Sequence, residues 1–513
     1  MTDVAGPAPL KGGALALIAF ALALGTFMQV LDSTIANVSL PTIAGNLGVS
    51  TNQGTWVITS FAVANGIAVP LTGWLMGRFG VVRTFVVSVL LFTFASFLCG
   101  IAWNLTSLIL FRVLQGAVSG PMIPGSQALL ISIFAPNKRS TALGVWSITT
   151  LIGPVAGPIL GGFISDNYHW SWIFLINVPV GLFCALICWR GLKSRETATR
   201  NLRIDTVGVL LLLVWVGALQ IVLDQGKDAD WFNSPFIVVT AIVSGLAFIY
   251  WLIWELTDAQ PAVDLRLFRN RNFALGTIAF CMGYAVFFAN VLLMPLWMQT
   301  QLGYTATWAG LVAAPSGVVA ILLTPIMARL SGKIDARFLA TLAFGAFALS
   351  FFMRSGFTTD ADVWHFTLPL LVQGVAMSCF FLGMLTIQLD GIPPERIPSA
   401  TGISNFARIT SGSFAASLIT TMYDRREAMH QTRLADQFTA YAPTYAQTLE
   451  SLRHLGISAA QAPAMVARQM VGQAYLLAAD DLFWISGWIA LSMIAIVWIA
   501  RRPKAPSGPV AAD

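Results

Sequence analysis

Apolar residues run through this chain in long blocks, and short polar loops separate them. A block of about 20 apolar residues has the length of a membrane-crossing helix. Fourteen such segments can be drawn, at roughly 14–36, 54–75, 84–103, 106–132, 141–164, 172–192, 205–224, 234–255, 273–298, 306–329, 336–354, 364–388, 399–422 and 481–500. The expected fold is an all-α membrane protein.

The polar residues between the blocks orient them. Lys and Arg concentrate in alternate loops: Lys11, then Arg78 and Arg83, Lys138 and Arg139, Arg190 to Arg203, Arg266 to Arg271, Arg329 to Arg337, Arg396, and Arg501 to Lys504. The loops between these are poor in both. By the positive-inside rule both termini face the cytoplasm, which requires an even number of crossings. The loop 423–480 is external, long and helix-forming in composition, with a break at Pro443. Long loops with their own structure are commonly functional. This one reads either as an inert hairpin cap or as a docking element for a partner.

Composition narrows the class. The 513 residues are 57% hydrophobic and 10% charged, against about 25% charged in soluble domains. The net charge of +6 lies in the loops, so it reports topology and does not suggest nucleic acid. The five cysteines fall inside apolar blocks without a CxxC pair, so no disulfide or metal site is expected. No cofactor is expected, and no Ser/His/Asp set supports an enzyme. No GxxxxGK[ST] loop supports ATP hydrolysis by this chain.

The first block holds an acid. In TFMQVLDSTIANVSLP, residues 26–41, Gln29, Asp32, Ser33, Ala36 and Asn37 recur at helical spacing and share one face. A carboxylate inside a membrane helix costs about 2.5–3.5 kcal/mol on insertion scales, so it is expected to face a cavity. Desolvation disfavours the charged form of a carboxyl group, so one in an apolar cavity can exchange protons near neutral pH. Asp32 is thus either a proton carrier or an acid held by a neighbouring donor for structure. Arg112, in the fourth block, needs a partner or a wet cavity, or else snorkels to the membrane edge.

The chain also repeats itself. Pro70 matches Pro325 and Leu75 matches Leu330 at one offset; Gln115-Gly116 matches Gln373-Gly374 and Gly144 matches Gly402 at another. The expected plan is six helices in 1–192, two extra helices and linkers in 193–272, six helices in 273–502, and a cytoplasmic tail, 503–513. Related halves around a midplane site are how secondary transporters are built. Asp32 has no acidic counterpart, since the matching stretch reads AVFFANVLLMP.

Several motifs resemble a family. GWLMGRFGVVR, with Gly73, Arg78 and Gly80, is similar to the loop between helices two and three of the major facilitator superfamily, except that Gly77 stands where that family has an acid. RVLQG, from Arg112 to Gln115 and Gly116, resembles its fourth-helix motif, in which the Arg is implicated in proton coupling. GPVAGPILGG resembles the antiporter motif of its exporters; Gly153, Gly157 and Gly161 permit close helix packing, and Pro154 and Pro158 bend the span. LDSTIANVSLP and HWSWIFLINVPVG resemble signatures of its fourteen-span drug:proton antiporter branch. The resemblance covers about residues 10–502 and implies proton-coupled export of hydrophobic or weakly acidic drug-like molecules across the inner membrane. It further implies a periplasmic adaptor and, through it, an outer-membrane channel, with 423–480 as the contact. Asp32 and Arg112 would couple protons. A single-metabolite exporter would share these motifs, and a non-transporting scaffold is the remaining alternative.

A drug pocket is expected to be mostly apolar with few polar anchors. The candidate lining residues are Gln29, Asn37, Asn65, Gln127, Tyr284, Phe288, Asn290, Gln373, Asn405 and Arg408. Each could equally be an interhelical hydrogen bond. Arg408, a second buried cation, would attract acidic cargo.

Overall fold

The computed structural model describes residues 10–49, 51–135, 138–199, 201, 203, 205–258, 261–331, 333–358, 363–437, 442–458 and 460–502. Within these ranges the side chains of Asn37, Pro154 and Pro158 also lie outside the described residues, as does the expected tail 503–513.

The apolar blocks become helices. They are α1 (Gly12–Asn46), α2a (Trp56–Ala68) and α2b (Thr72–Phe79), α3 (Val81–Gly100), α4a (Leu105–Ser119) and α4b (Met122–Ile133), α5 (Arg139–Asn167), α6a (Trp172–Leu175) and α6b (Asn177–Leu192), α7 (Thr206–Gln225), α8 (Pro235–Thr257), α9 (Arg271–Gln301), α10 (Ala306–Ser331), α11 (Ala336–Arg354), α12 (Val363–Gln388), α13 (Ile397–Gln437) and α14 (Gln461–Ile499). Among the described residues, eleven helices are long and apolar enough to cross a membrane. The bent pair α2a–α2b, with 57° between its parts, makes a twelfth. The protein is a multi-pass membrane protein. Helices α5 and α13 are rich in small and polar residues and pack among the others.

Breaks fall where the sequence interrupts the backbone ladder. Pro70 separates α2a from α2b, and Pro121 separates α4a from α4b; proline lacks the N–H that a helix interior needs. Pro295, Pro315, Pro325 and Pro369 lie inside helices.

Packing repeats along the chain. In the first six helices α1 packs on α5 and α6, α2 on α4, and α3 on α4 and α6. In the last six α9 packs on α13 and α14, α10 on α12, and α11 on α12 and α14. These are the same pairings in the same order. The pair α7–α8 stands against α2 and α13.

Both ends of the described chain lie on one face: Leu10 N–H donates to the Ile133 carbonyl (3.1 Å), and Arg501 N–H donates to Asn272 Oδ1 (2.7 Å). On that face the two bundles close tightly. A Cβ on Gly73 would lie 2.9 Å from Ser399 Cα, and one on Gly144 would lie 3.0 Å from Ala328 Cβ. A cavity of about 990 Å³ opens there, between α2b, α4b, α13 and the linkers before α7 and α9; Arg139, Glu196, Asp264 and Arg396 are among its lining residues. On the opposite face α13 and α14 continue past the apolar core and frame the short helix Pro443–His454.

Candidate functional site

The site is built from α1 outward. Gly153, Gly157 and Gly161 lay a side-chain-free stripe along α5 against α1. A Cβ on Gly157 would lie 2.1 Å from Thr34 Oγ1, one on Gly153 2.4 Å from Val30 Cγ1, and one on Gly161 3.0 Å from the Ile35 carbonyl. Residues this small let two backbones approach closely. Thr34 Oγ1 donates across the contact to the Gly153 carbonyl (3.3 Å). Helix α1 is thereby pinned with Asp32 turned toward α3, α4 and α6.

Asp32 is fully enclosed. Arg112 Nη1 donates to its Oδ2 at 2.5 Å, while Gln115 Nε2 (2.9 Å) and Asn177 Nδ2 (3.1 Å) donate to Oδ1. Ser96 accepts from Gln115 Nε2 (2.6 Å) and from Asn177 Nδ2 (3.3 Å). Arg112 is equally buried: its Nε donates to the Val57 carbonyl (3.0 Å), its Nη1 also reaches Gln115 Oε1 (2.6 Å), and its guanidinium lies 4.2 Å from the Phe61 ring centre. It does not snorkel. The acid does not face an open pore here: three donors surround it, and a buried carboxylate is tolerable only when paired and hydrogen-bonded. Charge-assisted bonds of this kind are the strong ones.

A second cluster joins the two bundles. Asn405 Nδ2, on α13, donates to Gln127 Oε1, on α4b, at 3.1 Å. Arg408 Nη2 donates to Asn405 Oδ1 (3.2 Å), and its guanidinium lies 4.6 Å from the centre of the Tyr284 ring. Tyr284 stacks on Phe288 (5.7 Å, 15°) and meets Phe381 edge-on, which in turn meets Trp146 of α5. Arg408 is 3% exposed, yet its Nε and the Gln127 Nε2 have no hydrogen-bond partner among the described residues. The Gln29 Oε1 on α1 is likewise buried without one. A buried guanidinium beside aromatic rings, with no carboxylate paired to it among the described residues, is a chemical fit for an anionic, apolar molecule.

The remaining candidates are apart from both clusters. Asn65 Nδ2 donates to Ser119 (2.7 Å), tying α2a to α4a. Asn290 Nδ2 donates to the Val286 carbonyl (2.7 Å) and to Ser486 (3.0 Å). Gln373 Oε1 accepts from Arg354 Nη2 in the last six helices. Gln115, expected as part of the RVLQG motif, contacts the acid directly. Gly116 packs against the Phe61 carbonyl, where a Cβ would lie at 2.4 Å.

Several residues escaped sequence reasoning. Asn177 lies within HWSWIFLINVPVG, so its signal was present but not resolved to one residue. Ser96 and Arg354 carried none. Glu196, in the linker after α6b, accepts from the N–H groups of Val82 (3.0 Å) and Arg83 (2.8 Å). Gly77 itself brings no carboxylate to this loop, and Glu196 brings one. Gly80, at φ +92°, leaves the space: a Cβ there would lie 2.4 Å from Glu196 Cδ. Arg78 Nη1 donates to Asn201 Oδ1 (3.2 Å), fastening the same linker.

Residues 22–416 match the family model of the Major Facilitator Superfamily. The chain belongs to the major facilitator superfamily. It is 46% identical over 505 residues to the multidrug export protein EmrB of Escherichia coli strain K12, covering 98% of each chain. It is 48% identical over 496 residues to EmrB of Haemophilus influenzae, covering 96% of this chain and 97% of that one. It is 46% identical to the fatty acid resistance protein FarB of Neisseria gonorrhoeae, covering 96% of this chain and 98% of that one. Among solved structures, a double-tryptophan mutant of XylE superposes with TM-score 0.60 at 13% identity, covering 96% of this chain and 97% of that one. The human organic anion transporter MFSD10 gives 0.58 at 12% identity, covering 95% of this chain and all of that one. At such identities these two speak for the major facilitator fold alone.

Proposed function

We propose that this protein exports hydrophobic and weakly acidic drug-like molecules across the inner membrane in exchange for protons. The observation that carries the reading is the enclosed Asp32–Arg112 pair in a chain similar to multidrug export proteins along nearly its whole length. Uphill export needs an energy source; a proton gradient supplies it, and a carboxyl group that gains and loses a proton inside the bundle can couple that gradient to export. Asp32 takes a proton from the outer side and gives it up on the inner side. Neutralising it removes the charge that Arg112 and Gln115 hold, and so loosens α1 from α4. Arg112 biases that equilibrium by its own charge.

Cargo binds at the second cluster. Gln127 and Asn405 supply polar anchors, Tyr284 and Phe288 apolar surface, and Arg408 the attraction for a carboxylate. Fourteen crossings with both termini cytoplasmic follow from the basic loops. The six-helix bundles of 1–192 and 273–502 rock about the Gln127–Asn405 contact, and residues 193–272 brace them. The hairpin 423–480 docks a periplasmic adaptor that leads to an outer-membrane channel.

The deciding experiment measures drug-dependent proton flux in proteoliposomes for the parent and for Asp32→Asn. The expected outcome is flux in the parent and none in the folded variant; normal flux in Asp32→Asn removes Asp32 from the mechanism. Arg408→Ala should weaken efflux of carboxylate-bearing compounds more than of neutral ones, and an equal effect on both excludes a role in charge recognition. Efflux of a chemically mixed panel separates a multidrug exporter from one with a single cargo.

A further inference from the structure

We infer that Asn177 is a positioning residue that ties the charge state of Asp32 to the placement of α6. The inference rests on the proton-coupling reading above and adds a residue that reading does not need.

Asn177 is 2% exposed and opens α6b, just after the interruption at Ile176. Its side-chain amide points back across the bundle and donates to Asp32 Oδ1 and to Ser96. An amide nitrogen donates only. Oδ1 therefore receives two N–H groups, from Gln115 and Asn177, and has no hydrogen to offer either. With Asp32 ionised, both are charge-assisted bonds. A proton taken on Oδ1 turns that oxygen into a hydroxyl, a weak acceptor that cannot hold both amides, so one of the two donors turns elsewhere.

The two donors are unequally held. Gln115 is gripped at its other end, where Oε1 accepts from Arg112 Nη1, and its Nε2 has Ser96 at 2.6 Å. Asn177 has longer bonds, 3.1 and 3.3 Å, and sits at a helix break. It is the donor that gives way. The short α6a turn before it packs on α1, α3 and α5, so a shift of Asn177 is felt at the α1–α5 contact. The titratable or charged groups facing Asp32 from the helices packed on it are Arg112 of α4a and Cys99 of α3; among the described residues α5 and α6 add none.

The test needs no transported ligand. Infrared difference spectroscopy of the purified protein, titrated with pH, should show a carboxyl band that is missing in Asp32→Asn. Losing one charge-assisted donor should move the midpoint of that band upward by roughly one pH unit in Asn177→Ala. Asn177→Asp, close in shape but bringing a second carboxyl group, should move it further; this variant carries the test if the alanine variant does not fold. A band whose midpoint stays put in both variants overturns the role of Asn177 and leaves Asp32 as the coupling acid. A titration with no Asp32 band overturns the proton-coupling reading itself.

Discussion

The two six-helix bundles use the same helix pairings but treat a buried cation in opposite ways. In the first, Arg112 of α4a is neutralised by Asp32 of α1, and Gln115 and Asn177 complete the shell. In the second, the repeat-mate of Gln115 is Gln373, which also accepts from a buried arginine; this one is Arg354, at the end of α11. Ser350 accepts from it as well (3.2 Å), and no carboxylate among the described residues pairs with it. The place matching Asp32 is taken by apolar residues near Val286. Asn290, one turn on, bonds Ser486 of α14 at 3.0 Å, as Asp32 bonds Asn177 of α6. One bundle therefore holds a buried carboxylate–guanidinium pair, and the other holds a buried guanidinium with no carboxylate beside it among the described residues. An internal repeat preserves the packing, and a single carboxylate sets the two copies apart.

Replacing the two arginines tests this contrast most sharply. Arg112→Met strands Asp32 as an uncompensated buried charge and should cost about 3–5 kcal/mol of stability. Arg354→Met removes a cation that has no carboxylate partner among the described residues and should cost about 1 kcal/mol, because relief of the buried charge offsets the lost charge-assisted hydrogen bonds. Thermal unfolding in detergent reads both, and equal losses would erase the distinction.

A smaller difference is expected where helices touch. The α1–α5 contact corresponds to α9–α13. A Cβ on Gly157 would lie 2.7 Å from Thr34 Cβ and 3.2 Å from the Ile35 backbone nitrogen, whereas one on Gly412 would meet the Tyr284 ring at 3.0 Å. Gly157→Ala should therefore cost about 1–3 kcal/mol through overpacking, and Gly412→Ala less, since a ring edge can shift. Gly162, with nothing within 4 Å of its Cβ position, is the control and should tolerate alanine. Unfolding temperatures that fall equally in all three would refute the backbone-approach argument.

The smallest effects concern the helix caps. Asp335, at the repeat position of Gly80, caps α11 by accepting from its neighbour Arg337 N–H (3.0 Å). In the first bundle glycine cannot cap α3, and Glu196 does so from the linker. Asp335→Ala and Glu196→Ala should each cost about 1 kcal/mol, but only the latter should free residues 193–203 to proteolysis. Burial alone would raise the Asp335 carboxyl, but the hydrogen bonds and charge of Arg337, with Arg502 beside it, hold it below the usual carboxylate range. Its contribution is therefore present above the unfolded value of about 3.9 and is lost as pH falls through the lower folded value. Unfolding midpoints compared above and below about pH 4 should show that loss in the parent and not in Asp335→Ala.

Much of this was legible from periodicity. Apolar blocks of membrane length predict the helices, because lipid leaves the backbone no other partner than its own ladder. Asp32 and Arg112 stood out as charges where charge is costly. Gln127, Asn405 and Arg408 were legible only as polar residues in apolar blocks; helical spacing puts Asn405 beside Arg408, but nothing local said that Gln127 meets them while Asn65, Asn290 and Gln373 bond elsewhere. Arg354 was hidden at a block edge, where an arginine resembles a topology signal.

The order of hydrophobic and polar residues determined by itself that this chain crosses a membrane repeatedly, that its two bundles share a plan, and that one helix carries an acid. Only the tertiary structure decided what closes around that acid. The donors come from residues 80 to 145 positions away, and the energy of a buried charge depends on which groups surround it in space. Spacing along a helix reports only the face a residue shares.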